Sequence, residues 1–319
     1  MIVVCGEALI DLVPAGGDLW RALPGGSPSN TAVALSRLGT PASMLARLSD
    51  DAFGVALRRR FTDNDVDLRW AVDATESTTL AIVGLNESGG ARYTFHLHDT
   101  ADWQWHAQEI PSSFDAGVTA IHAGSMALIG QPGGAVLEAM LLRERGHRVI
   151  SIDPNVRPIM CDDVAMYREA VERWLGVAHI VKVSADDLAW LYPSRDCLGV
   201  ARNWATRGPS LVVMTLGAGG AVAFTSSGAS HRVPGVKVEV VDTIGAGDTF
   251  TAGLLRSLEA QGLLDIEALA RLADAQLDEA LRYAALASAL ACTRAGSDPP
   301  YAQDVVLPVP PPTAPPHAW

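Results

Sequence analysis

Cysteine is scarce and scattered. The four in 319 residues, Cys5, Cys161, Cys197 and Cys292, form no C-x-x-C pair and have no histidine at ligand spacing. They read as buried or incidental thiols and fit a reducing compartment, not a zinc module. Positive charge is short as well: 24 Lys and Arg face 36 Asp and Glu, a formal net charge of −12. Without a basic surface or stripe, broad nucleic-acid binding is excluded. Arg58-Arg59-Arg60 is one turn and reads as a solvated helix face. No run approaches the ~20 apolar residues a membrane span requires. Residues 1–6 lack a basic leader and are soon followed by Glu7 and Asp11, so they predict a buried strand, not a signal peptide. The expectation is a soluble, cytoplasmic chain.

Apolar residues make up 49% and charged residues 19%, an ordinary globular balance. Length allows one large α/β domain or two smaller ones. Strand-like and helix-like segments alternate, as in a layered α/β protein with helices on both faces of a sheet. Strands are predicted at 1–12, 42–48, 117–123, 148–153, 178–183 and 210–215. Helices are predicted at 28–38, stopped by Gly39, and at 52–62, 133–145, 163–175 and 198–207. Two regions break this rhythm. Residues 79–85 and 92–95 alternate around the turn Asn86-Glu87-Ser88-Gly89-Gly90, a hairpin pattern. A small antiparallel sheet projecting from the core is predicted there, with a further strand from 11–23. Residues 307–319 hold six prolines and read as an extended tail without catalytic role.

Gly245-Ala246-Gly247-Asp248-Thr249-Phe250 precedes an apolar helix at 250–258. Three small residues let backbone approach a ligand, and a helix N-terminus offers free N–H groups and partial positive charge. Together they make a phosphate site. A carboxylate there repels phosphate unless it accepts a proton from an attacking hydroxyl. Locally, Asp248 reads equally as a helix cap.

The longer run Asp242-Thr243-Ile244-Gly245-Ala246-Gly247-Asp248 resembles the C-terminal signature of the PfkB (ribokinase-like) carbohydrate kinases. Gly25-Gly26-Ser27-Pro28-Ser29-Asn30-Thr31-Ala32, followed after six further residues by Gly39, resembles the N-terminal one. Ser49, in place of a usual glycine, and Ala295-Gly296-Ser297, in place of Gly-Ala, depart from the pattern away from the chemical centre. The resemblance implies a Rossmann-like α/β ribokinase fold. It has a mostly parallel central sheet, helices on both faces and a small β-sheet lid. One kinase domain would span 1–305, with the lid from about 11–24 and 66–104, followed by the tail at 306–319. Asp248 would be the base, and the N–H groups of Gly245, Ala246 and Gly247 an anion hole.

On the sugar side, Asp11, read as ending the first strand, Gly25, Gly26 and Asn30 would hold hydroxyls. Ile152-Asp153-Pro154-Asn155-Val156-Arg157-Pro158 resembles fructokinases and 2-keto-3-deoxygluconate kinases. It places Asn155 and Arg157 at the carboxyl end of the sheet. Arg157 suits a carboxylate, a phosphate or hydroxyls, or else a surface salt bridge. Tyr93, Phe95 and Trp103 would cover a sugar face, while His96 and His98 fit the polar face of a strand. On the nucleotide side, Lys182 and Ser184, the loop of Thr215, Gly217, Gly219 and Gly220, and Ala287 near the adenine would bind ATP. Asp187 suits a water-mediated Mg²⁺ contact, and Ser184 equally a helix cap. K⁺ would sit near Asp242 and Ile244.

The implied activity is ATP-dependent phosphorylation of a ketose primary hydroxyl, first of all fructose to fructose 6-phosphate. Then come 2-keto-3-deoxygluconate and ribose or a nucleoside. A homodimer through the lid is expected. A non-catalytic sugar-binding protein on this fold should have lost the base or the anion hole. A nicotinamide dehydrogenase needs G-x-G-x-x-G where this chain has Cys5-Gly6-Glu7-Ala8.

Overall fold

The computed structural model describes residues 1–85, 91–161 and 163–307; the side chains of 85 and 91–93 are not described. The expected turn at 86–90, the Tyr93 side chain and the tail from 308 onward lie outside the described residues.

In chain order the strands are β1 Ile2–Cys5, β2 Leu9–Pro14, β3 Trp20–Gly25, β4 Ala42–Leu45, β5 Arg47–Ser49, β6 Val72–Ala74 and β7 Leu80–Leu85. They continue as β8 Ala91–His96, β9 Ala120–Gly124, β10 Val149–Asp153, β11 Ile180–Ser184, β12 Leu211–Thr215, β13 Ala221–Thr225 and β14 Ser230–Val233. The helices are α1 Ser27–Arg37, α2 Ala52–Thr62, α3 Met126–Ile129, α4 Gly133–Glu144 and α5 Val164–Leu175. They continue as α6 Ala185–Leu191, α7 Cys197–Trp204, α8 Ala246–Ala260, α9 Ile266–Ala270 and α10 Asp274–Ala291.

Eight strands form the main sheet in the order β14-β13-β12-β11-β10-β9-β1-β4. It is parallel from β4 to β12, and β13 and β14 add antiparallel at one edge. The central strands are buried throughout, which is why they read as continuous apolar runs. Alternation along β1 still divides the core. Ile2 and Val4 join a cluster with Leu35, Leu255 and Leu281, while Val3 and Cys5 join Ile121, Leu137 and Trp174 on the other face. Helices therefore cover both faces, and the fold is the α/β layering expected.

The predicted strand 1–12 is two strands. Gly6 breaks it at φ +146°, where an added Cβ would meet Pro28 Cγ at 2.5 Å. β2 then leaves the core and enters a second sheet, ordered β3-β2-β7-β8. Asp11 thus lies on β2 of the small sheet, not at the end of the first core strand. This sheet is mixed, not antiparallel: β2 pairs with β3 antiparallel but with β7 parallel. No tight turn joins β2 to β7, so nothing forces them to run oppositely. Residues 66–74 stay with the main body. Ser43 bridges Asp67, and β6 pairs with β5 in a two-stranded sheet.

The reading of Arg58-Arg59-Arg60 as one solvated face also needs correction. Consecutive helical residues fan out by ~100° each. Arg59 is 82% exposed and Arg58 reaches Asp73, but Arg60 turns inward.

Candidate active site

Two cavities meet at the N-terminus of α8. The first, about 570 Å³, lies between the small sheet and the carboxyl ends of the core strands, where open α/β sheets place ligands. Asp11, Gly26, Asn30, Asn155, Arg157, Lys182, Gly245, Gly247 and Asp248 line it. Residues more than 200 positions apart in sequence are therefore neighbours. Gly25 does not line the cavity but backs it: an added Cβ there would overlap the Asp11 carboxylate. Gly26, at φ +97°, would drive its Cβ to 2.6 Å from the Glu7 carbonyl oxygen.

Asp248 is the third residue of α8 and is only 8% exposed. Its Oδ1 accepts a hydrogen bond from Ser27 Oγ at 2.7 Å, and its Oδ2 accepts one from Asn30 Nδ2 at 2.9 Å. The carboxylate is thus turned toward α1 and caps no helix amide. Burial pushes its pKa above the usual carboxylate range, while Ser27, Asn30 and the Lys182 ammonium oppose that shift.

Gly245 opens the helix in the left-handed region at φ +75°. Among the described residues, the N–H groups of Gly245 and Gly247 have no recorded acceptor, and that of Ala246 lies 3.2 Å from the Thr243 carbonyl. The Gly245 and Gly247 amides are free donors of a helix start, while the Ala246 amide closes the turn onto Thr243. Lys182 stands beside them, since an added Cβ on Gly247 would meet its Nζ at 3.1 Å. Its Nζ donates to Asp153 Oδ2 at 2.8 Å with both side chains buried. Burial lowers the lysine pKa, but the Asp153, Asp187 and Asp248 carboxylates together outweigh it, and the net shift is upward. A charged ammonium and free amides therefore face the same point.

In the first cavity, burial raises the Asp11 pKa to about 6 against the pull of Arg60 and Arg157. Arg157 donates from Nη1 to the Asn155 and Val156 carbonyls at 3.2 and 3.0 Å and forms no ion pair with the described residues. Its guanidinium is therefore not held in a surface salt bridge. Asn155 and Ser125, both on the cavity wall, take positive φ values of +38° and +57°, local strain of the kind that collects at binding sites. Phe95 lines the cavity. Trp103 packs instead with Leu9, Ala81 and Met126 in the core. His96 and His98 are exposed.

The second cavity, about 560 Å³, is lined by Thr215, Gly217, Ala218, Gly220, Val236, Val240, Phe250, Ala285 and Ala289, among others. It is apolar with a glycine turn at its mouth, which suits a flat heterocycle. Gly219, Ser184 and Lys182 are not on its wall. Ala287 is not either: it is fully buried, and the helix phase turns it toward Gly253, where an added Cβ would lie 3.3 Å from the Ala287 Cβ. Ala285, Ser288, Ala289 and Cys292, at helical spacing, form the wall in its place. Thr243 and Gly247 line both cavities.

Metal fit is limited. Asp187 Oδ1 accepts from Val156 N–H at 2.9 Å, and Oδ2 accepts from Ser184 N–H at 3.0 Å, while Ser184 Oγ caps Asp187 N–H. Both oxygens already serve amides, which leaves lone pairs for water but no open bidentate face. Asp242 bonds the Ile244 and Gly296 amides at 3.0 and 2.8 Å. No group of three His, Cys, Asp or Glu among the described residues is placed to hold a metal.

Three residues were missed in the sequence. Ser27 lies inside the N-terminal signature but carries no signal of its contact with Asp248. Glu7, 1% exposed on the cavity floor, accepts from Ala127 N–H at 3.0 Å; a charge inside an apolar run was its only mark. Arg60 was hidden among basic neighbours.

No helix among the described residues is long and apolar enough to cross a membrane. A family model, the pfkB family carbohydrate kinases, matches residues 1–304. A fructokinase of Rhizobium leguminosarum bv. trifolii is 38% identical over 268 residues, covering 83% of this chain and 81% of the relative. A fructokinase from Xylella fastidiosa with bound ATP superposes with TM-score 0.88 at 28% identity, covering 95% of this chain and 96% of that one. A Vibrio cholerae fructokinase double mutant, solved in a fructose-, ADP- and potassium-bound form, has TM-score 0.79 at 30% identity over 93% of each chain. With both signature segments converging on Asp248, the chain belongs to the PfkB family of carbohydrate kinases and is an ATP-dependent sugar kinase.

Proposed function

We propose that the chain transfers the γ-phosphate of ATP to the primary hydroxyl of fructose, giving fructose 6-phosphate. The observation that carries this reading is the position of Asp248. It is a buried carboxylate held by Ser27 and Asn30, at the helix start that separates the two cavities. Fructose occupies the first cavity, with Asp11, Asn30, Asn155 and Arg157 on its hydroxyls and Gly25 and Gly26 leaving room for Asp11 and the backbone. ATP lies in the second, its base against Ala285 and Ala289 and its phosphates along the loop of Thr215, Gly217 and Gly220.

Asp248 accepts the hydroxyl proton as the sugar oxygen attacks the γ-phosphorus and ADP departs with the bond electrons. The N–H groups of Gly245, Ala246 and Gly247 and the Lys182 ammonium stabilise the charge that develops on the phosphoryl oxygens. Mg²⁺ bound with ATP supplies further neutralisation, and Asp187 would hold its water shell. A K⁺ ion near the Asp242 and Ile244 carbonyls would steady the loop that carries the anion hole.

Leu19, in the connection between β2 and β3, and Trp20, on β3, are 70% and 49% exposed and are the surface we propose for pairing with a second copy; gel filtration at the monomer volume would refute that pairing. The four cysteines are free, which fits the cytoplasmic location we also propose.

An ADP-release assay over fructose, 2-keto-3-deoxygluconate, ribose and a nucleoside tests the substrate. Fructose should give the highest kcat/KM. Asp248→Asn should keep nucleotide binding and lose at least ~10²-fold in kcat. A preference for the sugar acid would reassign Arg157 to its carboxylate and overturn fructose as the substrate.

A further inference from the structure

Arg60 departs from the exposed face of α2 and runs beneath the sugar cavity. Its Nη1 donates to the Pro24 carbonyl at 2.8 Å. Its Nη2 donates to Asn30 Oδ1 at 3.2 Å and to the Ser297 carbonyl at 3.0 Å. The three acceptors belong to the three pieces around Asp248. Pro24 lies in β3, one residue before its end, Asn30 lies in α1, and Ser297 packs against Gly245 at the start of α8. A carboxamide presents oxygen on one side and N–H groups on the other. With its oxygen held by a cation, Asn30 has only N–H groups left for Asp248, and Nδ2 meets Oδ2 at 2.9 Å. The reversed amide would set oxygen against carboxylate and N–H against guanidinium, losing both contacts.

We propose that Arg60 is a positioning residue for phosphoryl transfer: it fixes the Asn30 carboxamide so that this donates to the base, and it ties the base to the anion loop. The inference rests on the reading of Asp248 as the base. The charges around it point the same way. Arg60 faces Asp11, Asp298 and Asp248 as well as Arg37; burial and then Arg37 lower its pKa to about 10, against the pull of the three carboxylates. It therefore stays charged at neutral pH. Lys182 and Asp153 act on Asp248 from β11 and β10, so Arg60 supplies a second cation near the base from another element.

The test compares Arg60→Met and Arg60→Lys with the parent chain, by steady-state kinetics across pH and by NMR titration of the Asp248 carboxyl. Arg60→Met should lower kcat roughly 10²-fold with the KM for ATP nearly unchanged. It should also move the acid limb of kcat/KM and the Asp248 midpoint to higher pH. Arg60→Lys keeps the charge and should bring the acid limb back toward its original position while kcat stays low. A folded Arg60→Met with kcat within about twofold and an unmoved Asp248 midpoint would overturn the proposal. Should Arg60→Met fail to fold, Arg60→Lys decides, because one ammonium cannot serve three acceptors; an unchanged kcat then refutes it. Should the parent chain phosphorylate no sugar, the reading of the base fails, while the titration still decides whether Arg60 governs Asp248.

Discussion

Gly25 lacks a side chain where Asp11 needs space. A methyl group there would overlap Asp11 Oδ2, so the carboxylate would have to turn away from the cavity. Gly25→Ala is expected to raise the KM for sugar roughly 10-fold, about the cost of one disturbed hydrogen bond to a charged group. The KM for ATP should hardly change, since Asp11 lines only the first cavity. Equal rises in both constants would indicate general disruption instead. At this scale the sequence was informative about Asp248 and Asn30, because both sit in specific signatures. It was silent about Arg60, whose inward turn depends on the phase of α2, and about the partner each carboxylate oxygen takes. Arg157 was left between ligand contact and salt bridge, since an ion pair depends on what else the fold brings near.

At the level of elements, α6 shows how one residue pair satisfies a helix start. Ser184 Oγ accepts from Asp187 N–H, and Asp187 returns the contact to Ser184 N–H while also holding Val156 N–H. Ser184→Ala should therefore cost about 1 kcal/mol in stability as a lost cap, read from denaturant unfolding, with kcat nearly unchanged. A large loss of kcat at intact stability would assign Ser184 to the nucleotide after all. The core strands were legible because both of their faces are buried and their apolar runs are short and bounded. The small sheet was legible only in part. Its hairpin pattern stood out, but the parallel pairing of β2 with β7 is a long-range contact with no local signal, and β6 was drawn into it by mere proximity in sequence. Ala287 was misplaced for a related reason: α10 is apolar on more than one side, so composition could not say which side meets α8 and which lines the second cavity.

Across the whole molecule, buried titratable groups set opposing trends with pH. Burial pushes Glu7 and Asp102 up to about 7 and Asp11 up to about 6. Below their folded values these groups hold protons that the unfolded chain has released, so the stability they contribute is present at low pH and lost as pH rises through about 7. Burial lowers His122 to about 3 and His179 to about 4. The unfolded chain protonates these two first, so their effect is to destabilise the fold as pH falls below about 6.5. Above that point the histidine effect fades while the carboxyls still lose their protons, and the melting temperature should decline from about pH 6.5 to 8. Glu7→Gln should flatten the decline; an unaltered slope would show that Glu7 ionises normally.

Thr243 and Gly247 face both cavities, so the start of α8 is a partition with a chamber on each side. Neither substrate has to pass through the other's chamber to reach its place. If sugar and nucleotide take the two chambers proposed, product inhibition should show ADP competing with ATP and not with the sugar; competition of ADP with the sugar would overturn the two-chamber assignment.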